Sequence, residues 1–183
     1  AQAPDSERYP PIDWPSRPPV DCPFEPSEDI VGVTFTGRHR EYARADCWFP
    51  SWASDGNMYS PFSDGTVEIV LPDGSQEQLW TLGQEGEDAN CGCGKIVGDD
   101  PLNLTVIGLG VLPTPTGPYN ARYPSGSLVH DGIWYYGSHP EGPGGLGPLV
   151  GFRVSRDHGK TWTDGPNDPT APLFAARSLD DEG

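Results

Sequence analysis

The side chains of this chain that could do chemistry are carboxylates, arginines and aromatic rings. Two adjacent carboxylates, Asp99 and Asp100, follow a predicted strand at residues 95–97. Their oxygens are ligands that Ca²⁺ prefers, and one of them could instead belong to a catalytic pocket. Neighbouring residues on a strand point to opposite faces, so at most one enters such a pocket, and we expect this to be Asp100. A solvated turn is the competing interpretation.

The segment at residues 155–162 reads Ser-Arg-Asp-His-Gly-Lys-Thr-Trp. It resembles the Asp-box of sialidases and related β-propellers, Ser-x-Asp-x-Gly-x-Thr-Trp. Its carboxylate would cap backbone N–H groups of a tight turn, its glycine would supply a left-handed residue, and its tryptophan would pack between blades. The resemblance implies a turn on the outer rim of a propeller, away from substrate. A structural role is therefore expected for the five matching residues, Ser155, Asp157, Gly159, Thr161 and Trp162.

A second resemblance covers residues 46–59, which read Asp-Cys-Trp-Phe-Pro-Ser-Trp-Ala-Ser-Asp-Gly-Asn-Met-Tyr. This segment is similar to the first inner strand and hairpin of five-bladed propeller glycoside hydrolases, the clan of arabinanases, xylosidases and invertases. The resemblance implies that Asp46 is a catalytic carboxylate and that Trp48 and Trp52 stack on sugar rings. Glycosidic cleavage needs two carboxylates that flank the bond, so Asp46 would act together with Asp100. Capping of a turn is the alternative role for Asp46.

An internal repeat relates residues 46–112 to residues 122–165. In each copy an Asp-Gly turn is followed by a strand with aromatic residues, and two copies of a four-stranded antiparallel unit indicate propeller blades. The repeat places Arg122 at the counterpart of Asp46, where its forked donors suit a carboxylate or sugar hydroxyls. Pairing of Arg122 with a nearby Asp is the alternative. The predicted substrate-binding residues are Trp48, Trp52, Arg122, Tyr123, Tyr135 and His139.

The sequence predicts an all-β fold made of antiparallel four-stranded β-propeller blades, and only part of a complete five-bladed ring. With 24 Gly and 22 Pro, long helices are disfavoured. Residues 1–28 are expected to form a Pro-rich extended arm, residues 29–165 the blades, and residues 166–183 a Pro-rich acidic tail. Strands are predicted at 48–52, 57–62, 66–71 and 78–82, with hairpin turns at 54–56 and 63–65.

Two blades alone would leave unpaired strand edges. Further blades are therefore expected from a second chain, from a longer precursor or from copies of the same chain. The segment Ala1-Gln2-Ala3-Pro4 resembles a mature terminus left by signal cleavage, which predicts a secreted protein.

The chain carries 27 acidic and 11 basic side chains, for a net charge of -16. Such a surface repels nucleic acids and anionic membranes, and no apolar run approaches the roughly 20 residues of a membrane span. The four cysteines show no zinc-ligand spacing. In an exported chain an even number favours disulfides, and the predicted bond joins Cys47 to Cys91 or Cys93, with Cys22 as the remaining candidate.

Two functions follow from these observations. The first is an extracellular carbohydrate-active protein, a glycoside hydrolase that acts through paired carboxylates without a required cofactor, although Ca²⁺ is compatible with its acidic residues. The alternative is a non-catalytic extracellular glycan-binding or assembly module on a propeller scaffold. The five-bladed clan contributes an essential Glu from its third blade, and this sequence shows no clear counterpart.

Overall fold

The computed structural model describes residues 9–14, 19–71, 73–81, 91–112, 122–140 and 151–163, and residue 173. The chain divides into two compact units. Unit 1 comprises residues 1–41 and 99–103, and unit 2 comprises residues 42–98 and 104–183.

The described residues form antiparallel β-strands and no helix, so the predicted all-β class is confirmed. Strands in this chain are short because Gly, Pro and Asp-Gly turns interrupt them repeatedly. In chain order the strands are β1 Ile12–Trp14, β2 Val33–Phe35, β3 Arg44–Asp46, β4 Ser51–Trp52, β5 Met58–Val70, β6 Gln76–Thr81, β7 Gly92–Val97, β8 Thr105–Val111, β9 Arg122–His130, β10 Ile133–Pro140 and β11 Phe152–Ser155.

Unit 1 contains a two-stranded ribbon in which β1 pairs with β2. Residues 12–14 of the predicted Pro-rich arm therefore form a strand. The pairs Ile12–Phe35 and Trp14–Val33 lie on one face, since they alternate with the pair of Asp13 and Thr34. All four apolar side chains are about half exposed or more. The other face is polar, where the Thr34 hydroxyl donates to the Asp13 carboxylate at 2.6 Å.

The long strand β5 organises unit 2, because both of its edges are hydrogen-bonded. Its first half pairs with β4 and β7, and its second half pairs with β3 and β6. Strand β8 continues the sheet beyond β7. From Tyr59 to Ser63 every residue of β5 is buried, which is expected where both faces of a strand are covered.

The predicted hairpin at residues 63–65 is wrong. Strand β5 runs straight through this segment, and the register of β3 against β5 shifts here. Asp64 has a φ of 50°, and a Cβ on Gly65 would lie 1.7 Å from the carbonyl oxygen of Arg44. The Asp-Gly pair thus forms an irregularity of the β-bulge type rather than a chain reversal. Similarly, only Ser51–Trp52 of the predicted strand 48–52 is a strand.

The predicted hairpin turn at residues 54–56 is confirmed, because Gly56 donates its N–H to the Ala53 carbonyl. A similar turn joins β5 to β6, where Gly74 donates its N–H to the Leu71 carbonyl. The Asp131-Gly132 turn between β9 and β10 has φ angles of 48° and 73°, both in the left-handed region that two-residue hairpins use.

The second sheet of unit 2 has the order β11-β10-β9. Beyond β11, Val154 and Thr163 exchange two backbone hydrogen bonds of 2.9 Å. The Ser51 hydroxyl accepts the Val129 N–H at 2.9 Å, which links β4 to β9. The described core of unit 2 lies among these strands and consists of Tyr59, Cys91, Cys93, Leu112, Val129, Trp134 and Tyr136.

Candidate functional site

The two predicted catalytic carboxylates belong to different units. Asp46 ends β3 in unit 2 and is exposed, opposite Ser63 of β5. Asp100 is an exposed residue of unit 1. Its carboxylate accepts the Leu102 N–H at 2.9 Å, and its carbonyl accepts the Asn103 N–H at 2.8 Å. These are the contacts of a residue that caps a turn, which supports the competing interpretation of Asp100.

Asp46 lies in a cluster with Cys47 and Asp64, whose potential ligand atoms are all within 4.8 Å of one another. Burial raises the pKa of the Cys47 thiol, and a hydrogen bond with Ser63 opposes this effect. The Asp46 and Asp64 carboxylates raise it further. A thiol kept protonated is a poor metal ligand. Two carboxylates of this cluster therefore remain as donors for a hard cation such as Ca²⁺.

The two tryptophans predicted to stack on sugars have different surroundings. The Trp48 indole stacks on Phe62 with ring centroids 5.0 Å apart, and its N–H donates to the Ala45 carbonyl at 2.9 Å. Trp48 therefore covers the interior of the sheet. Trp52, on β4, is 54% exposed and keeps a ring surface that a ligand can reach.

The remaining predicted substrate-binding residues lie on the hairpin of β9 and β10. Tyr135 is half-buried and contacts the Phe152 ring edge-on, with centroids 6.4 Å apart. The next residue, Tyr136, points into the core. In the strand register Tyr123 is opposite His139, and Arg122 is opposite Pro140. The side chains of Arg122, Tyr123 and His139 lie outside the described part of the structure.

The turn at residues 155–162 is closed by its own side chains. Asp157 accepts the Thr161 N–H at 2.8 Å through one carboxylate oxygen and the Thr161 hydroxyl at 2.6 Å through the other. The Ser155 hydroxyl donates to Asp157 and accepts the Gly159 N–H, both at 2.8 Å. The Thr161 side chain, followed by its N–H, lowers the Asp157 pKa to about 2. This turn thus depends on an ionised carboxylate.

The indole at the end of this turn packs inward. Trp162 lies 5.0 Å from the Trp134 ring and 5.6 Å from the Tyr136 ring, centroid to centroid. Its N–H donates to the Gly159 carbonyl at 3.1 Å. His158 stacks on Tyr59 at 4.9 Å with nearly parallel planes. Aromatic contacts therefore bind the turn to the core of unit 2. An aromatic pair stabilises a fold by roughly 0.5–1.5 kcal/mol beyond the contribution of the apolar area that it buries.

A cavity of about 400 Å³ lies between this turn and the strands next to it. We call it the turn cavity. Its volume falls within the range of roughly 300–1,000 Å³ found for small-molecule sites. Its described lining is apolar along β8 and polar along β11 and the turn, and comprises Cys93, Leu109, Gly110, Val111, Leu112, Arg153, Gly159, Lys160, Thr161 and Trp162.

Arg153 is the buried charge of this cavity, with only 6% of its surface exposed. It pairs across the strands with Tyr136, so the two side chains share a face. Burial raises the pKa of the Tyr136 hydroxyl, and the Cys91 and Cys93 thiols add to this, while Arg153 opposes it. This hydroxyl makes no hydrogen bond of ordinary geometry with a described residue. Among the described residues, the Tyr136 hydroxyl is thus a buried polar group without a regular hydrogen-bond acceptor.

The predicted disulfide is not present, because no bond joins any of the four cysteines. Cys91 and Cys93 lie buried in the core beside Tyr136, whereas Cys47 lies half-buried at the irregularity of β5 near Asp46 and Asp64. Burial, with the neighbouring Cys91, raises the pKa of the Cys93 thiol. Cys93 is therefore a protonated, unreactive thiol at neutral pH.

Comparison with known proteins gives no match to a family model, to a curated protein sequence or to a solved structure. Among the described residues, no helix has the length and apolar character to cross a membrane. The case for function therefore depends on the residues themselves.

Two residues of the turn cavity, Arg153 and Lys160, are not among the site residues predicted from the sequence. Arg153 precedes Ser155 by two positions on β11, so strand alternation places both on one face. If Ser155 of the turn faces inward, Arg153 does too. That inference was open from the sequence. Lys160 occupies a variable position of the Asp-box pattern, so the pattern does not indicate a role for it.

Proposed function

We propose that this protein is an extracellular glycan-binding module on a propeller-type scaffold, and that the turn cavity is its binding site. The observation that best supports this proposal is a cavity of ligand size, which combines an apolar side with the polar side chains of Arg153, Lys160 and Thr161. Small-molecule sites have this composition, in which apolar walls supply affinity and a few polar groups fix orientation.

Binding is better supported than hydrolysis. A glycoside hydrolase needs two carboxylates near the scissile bond, about 5–10 Å apart. The turn cavity has no carboxylate in its described lining, and Asp100 makes the contacts of a residue that caps a turn. The segments 46–59 and 155–162 still support a propeller scaffold, whose blades serve enzymes and binding proteins alike.

Strand pairing supports four-stranded blades as part of this proposal. Strands β4, β5, β7 and β8 pair in sequence. The second proposed blade consists of the hairpin of β9 and β10, strand β11 and the bridge from β11 to Thr163. We propose that copies of the chain complete the ring that two blades leave open, since an unpaired sheet edge is a template for association.

The binding proposal is tested on an array of immobilised glycans with fluorescently labelled protein. The wild type is expected to bind a subset of glycans, and Lys160→Ala is expected to weaken that binding about tenfold, because a charge-assisted hydrogen bond contributes roughly 1.5–3 kcal/mol. Arg156→Ala is the matched control, since Arg156 is an exposed cation of the same turn that does not line the cavity. Equal binding by wild type and Lys160→Ala, or no binding to any glycan, would contradict the proposal.

A further inference from the structure

The turn cavity borders the edge of β8 rather than one of its faces. Four consecutive residues at the end of this strand, 109–112, line the cavity. Side chains of a strand alternate between two faces, so a cavity over one face would be lined by every second residue. An unbroken run places the strand backbone itself beside the cavity. Among the described strands, β8 pairs only with β7, so its other edge carries no partner strand.

Val111 directs its backbone N–H and C=O towards this free edge. Leu112 donates its N–H to the Cys91 carbonyl at 2.7 Å, so the backbone groups of Leu112 face β7. The next pair along the ladder joins Val111 to Gly92. Hydrogen-bonded and non-hydrogen-bonded pairs alternate along an antiparallel ladder. The N–H and C=O of Val111 therefore point away from β7, towards the cavity that this residue lines.

The free edge offers a ligand one regular pair of donor and acceptor. The register of β7 against β8 shifts between Cys93 and Gly94, which leaves Leu109 without a paired residue. Such a bulge interrupts the alternation of the ladder two residues before Val111. A peptide that adds a strand to a sheet needs a run of outward N–H and C=O groups, whereas a small molecule is oriented by a few polar groups. The edge at the cavity therefore suits a small ligand.

The rest of the described lining can accommodate a sugar ring. Arg153 already has an interaction partner, so its guanidinium is engaged within the protein. The Thr161 hydroxyl donates to Asp157, and its oxygen can still accept a hydrogen bond. Leu109 and Trp162 line the cavity with apolar surface, on which the carbon–hydrogen face of a sugar can pack. The cavity thus combines a backbone donor, two acceptors and an apolar wall.

We propose that the ligand of the turn cavity is a sugar residue with a free vicinal diol, which binds the Val111 backbone as a partner strand would. One hydroxyl of the diol accepts the Val111 N–H, and its neighbour donates to the Val111 C=O. A hydroxyl is both donor and acceptor, so the diol satisfies both backbone groups without a charged side chain. This inference rests on the proposed glycan-binding function and specifies the class of sugar that the site selects.

Deoxy sugars test the diol without changing the protein. The methyl pyranosides of glucose, galactose and mannose are titrated into the full chain and followed by NMR, together with the 3-deoxy and 6-deoxy analogue of each. A 3-deoxy analogue has no vicinal diol, whereas a 6-deoxy analogue loses one hydroxyl and keeps its diols. At least one parent glycoside should bind. Its 3-deoxy analogue should bind at least about tenfold more weakly, because a backbone group loses its partner, and its 6-deoxy analogue should lose less than about threefold.

The Val111 amide gives a direct readout in the same titration. Its proton should exchange with solvent more slowly when the parent glycoside is bound, because the sugar hydroxyl accepts it. The Leu112 amide is the internal control. It already donates to the Cys91 carbonyl, so its exchange rate should stay the same.

The substitution Val111→Pro removes the N–H that the diol would accept. Proline is tolerated on an edge strand where the missing N–H does not pair within the sheet, and circular dichroism checks that the β-sheet spectrum is unchanged. Binding of the parent glycoside should weaken about tenfold. Val111→Ala is the matched control, since it shortens the side chain and keeps the N–H, and it should lose less than about threefold.

Equal affinities for the 3-deoxy and 6-deoxy analogues, or an unchanged Val111 amide at saturation, would overturn the diol inference and leave glycan binding standing. A synthetic peptide of residues 105–111 serves as the competing probe. Slower exchange of the Val111 amide with this peptide, and no binding of any glycoside, would show that the edge pairs with a second copy of the chain. That result would overturn both the diol inference and the glycan-binding function.

Discussion

Asp157 fixes the turn at residues 155–162 through both oxygens of its carboxylate. Its two strong contacts go to the side chain and N–H of one residue, Thr161. Lys160 precedes Thr161 and Trp162 follows it. The same contacts therefore fix the backbone positions of these three cavity residues. A residue that the resemblance places in a structural role thus also positions the candidate ligand site.

The substitution Asp157→Ala should lower both the melting temperature and the affinity for glycans. Hydrogen bonds lower the pKa of Asp157 from 3.8 to about 2. The stability they provide is therefore fully present above about pH 4 and is lost as the pH falls towards 2. Thermal unfolding followed by circular dichroism at several pH values checks this.

The wild type should lose melting temperature more steeply than the variant as the pH falls from 4 to 2. Arg156→Ala, which changes the same turn without removing an acceptor, should behave like the wild type. Parallel pH profiles for the wild type and Asp157→Ala would show that the carboxylate does not stabilise the turn.

Asp-Gly dipeptides show how far elements can be predicted from local sequence. Both Asp131-Gly132 and Asp64-Gly65 supply a residue with positive φ. The first makes the hairpin that the sequence predicts. At the second, strand β3 pairs on one edge of β5 and β6 on the other, and the same dipeptide becomes an irregularity within one strand. Strand partners that are distant in sequence decide whether the dipeptide forms a hairpin or a bulge. The local sequence pattern therefore cannot predict which of the two forms.

The site was predictable only in part for a related reason. The sequence identifies the 155–162 turn because its residues contact one another within a few positions. The turn cavity also needs Cys93 and Leu109 from distant strands, and no local spacing reveals that juxtaposition. The pairing of Asp46 with Asp100 stays a prediction, because Asp46 belongs to unit 2 and Asp100 to unit 1.

The substitution Gly65→Ala should destabilise unit 2 severely. The added Cβ would lie 1.7 Å from the Arg44 carbonyl oxygen, so β3 must move away from β5. We expect a loss of about 3 kcal/mol or more in the free energy of unfolding, measured by urea denaturation. Gly56→Ala is the control, because it has open space around the added Cβ and only its φ of 78° is unfavourable. It should lose about 1–2 kcal/mol. Equal losses would contradict the close approach at Gly65.

At the scale of the whole molecule, net charge and unpaired surface have opposite effects. A charge of -16 keeps copies apart. Among the described strands, β8 and β9 each pair on one side only, and the ribbon of unit 1 exposes Trp14 and Phe35 at 61% and 54%. Apolar surface and open strand edges favour association. Salt shifts this balance, since it screens the repulsion and leaves the apolar contacts intact.

Assembly of copies is therefore expected to depend on salt. Sedimentation velocity should find species heavier than the 19.7 kDa chain, and their fraction should increase between low and physiological ionic strength. Trp14→Ser should reduce that fraction, and Val70→Ser, which replaces a similarly exposed apolar residue of unit 2, should reduce it less. A single 19.7 kDa species at every salt concentration would contradict the proposed ring of copies.

The position of β5 also constrains how the chain can fold while it is being synthesised. Strands β3 and β4 leave the ribosome before β5, and β6 follows directly, so three of its pairings can form early. Its pairing with β7 joins Met58 to Ile96 and must wait until that later segment emerges. Until then one edge of the buried half, Tyr59 to Ser63, has no partner strand. Nascent chains that pause before residue 96 would expose this edge to one another, and a chaperone that covers it would act at that stage.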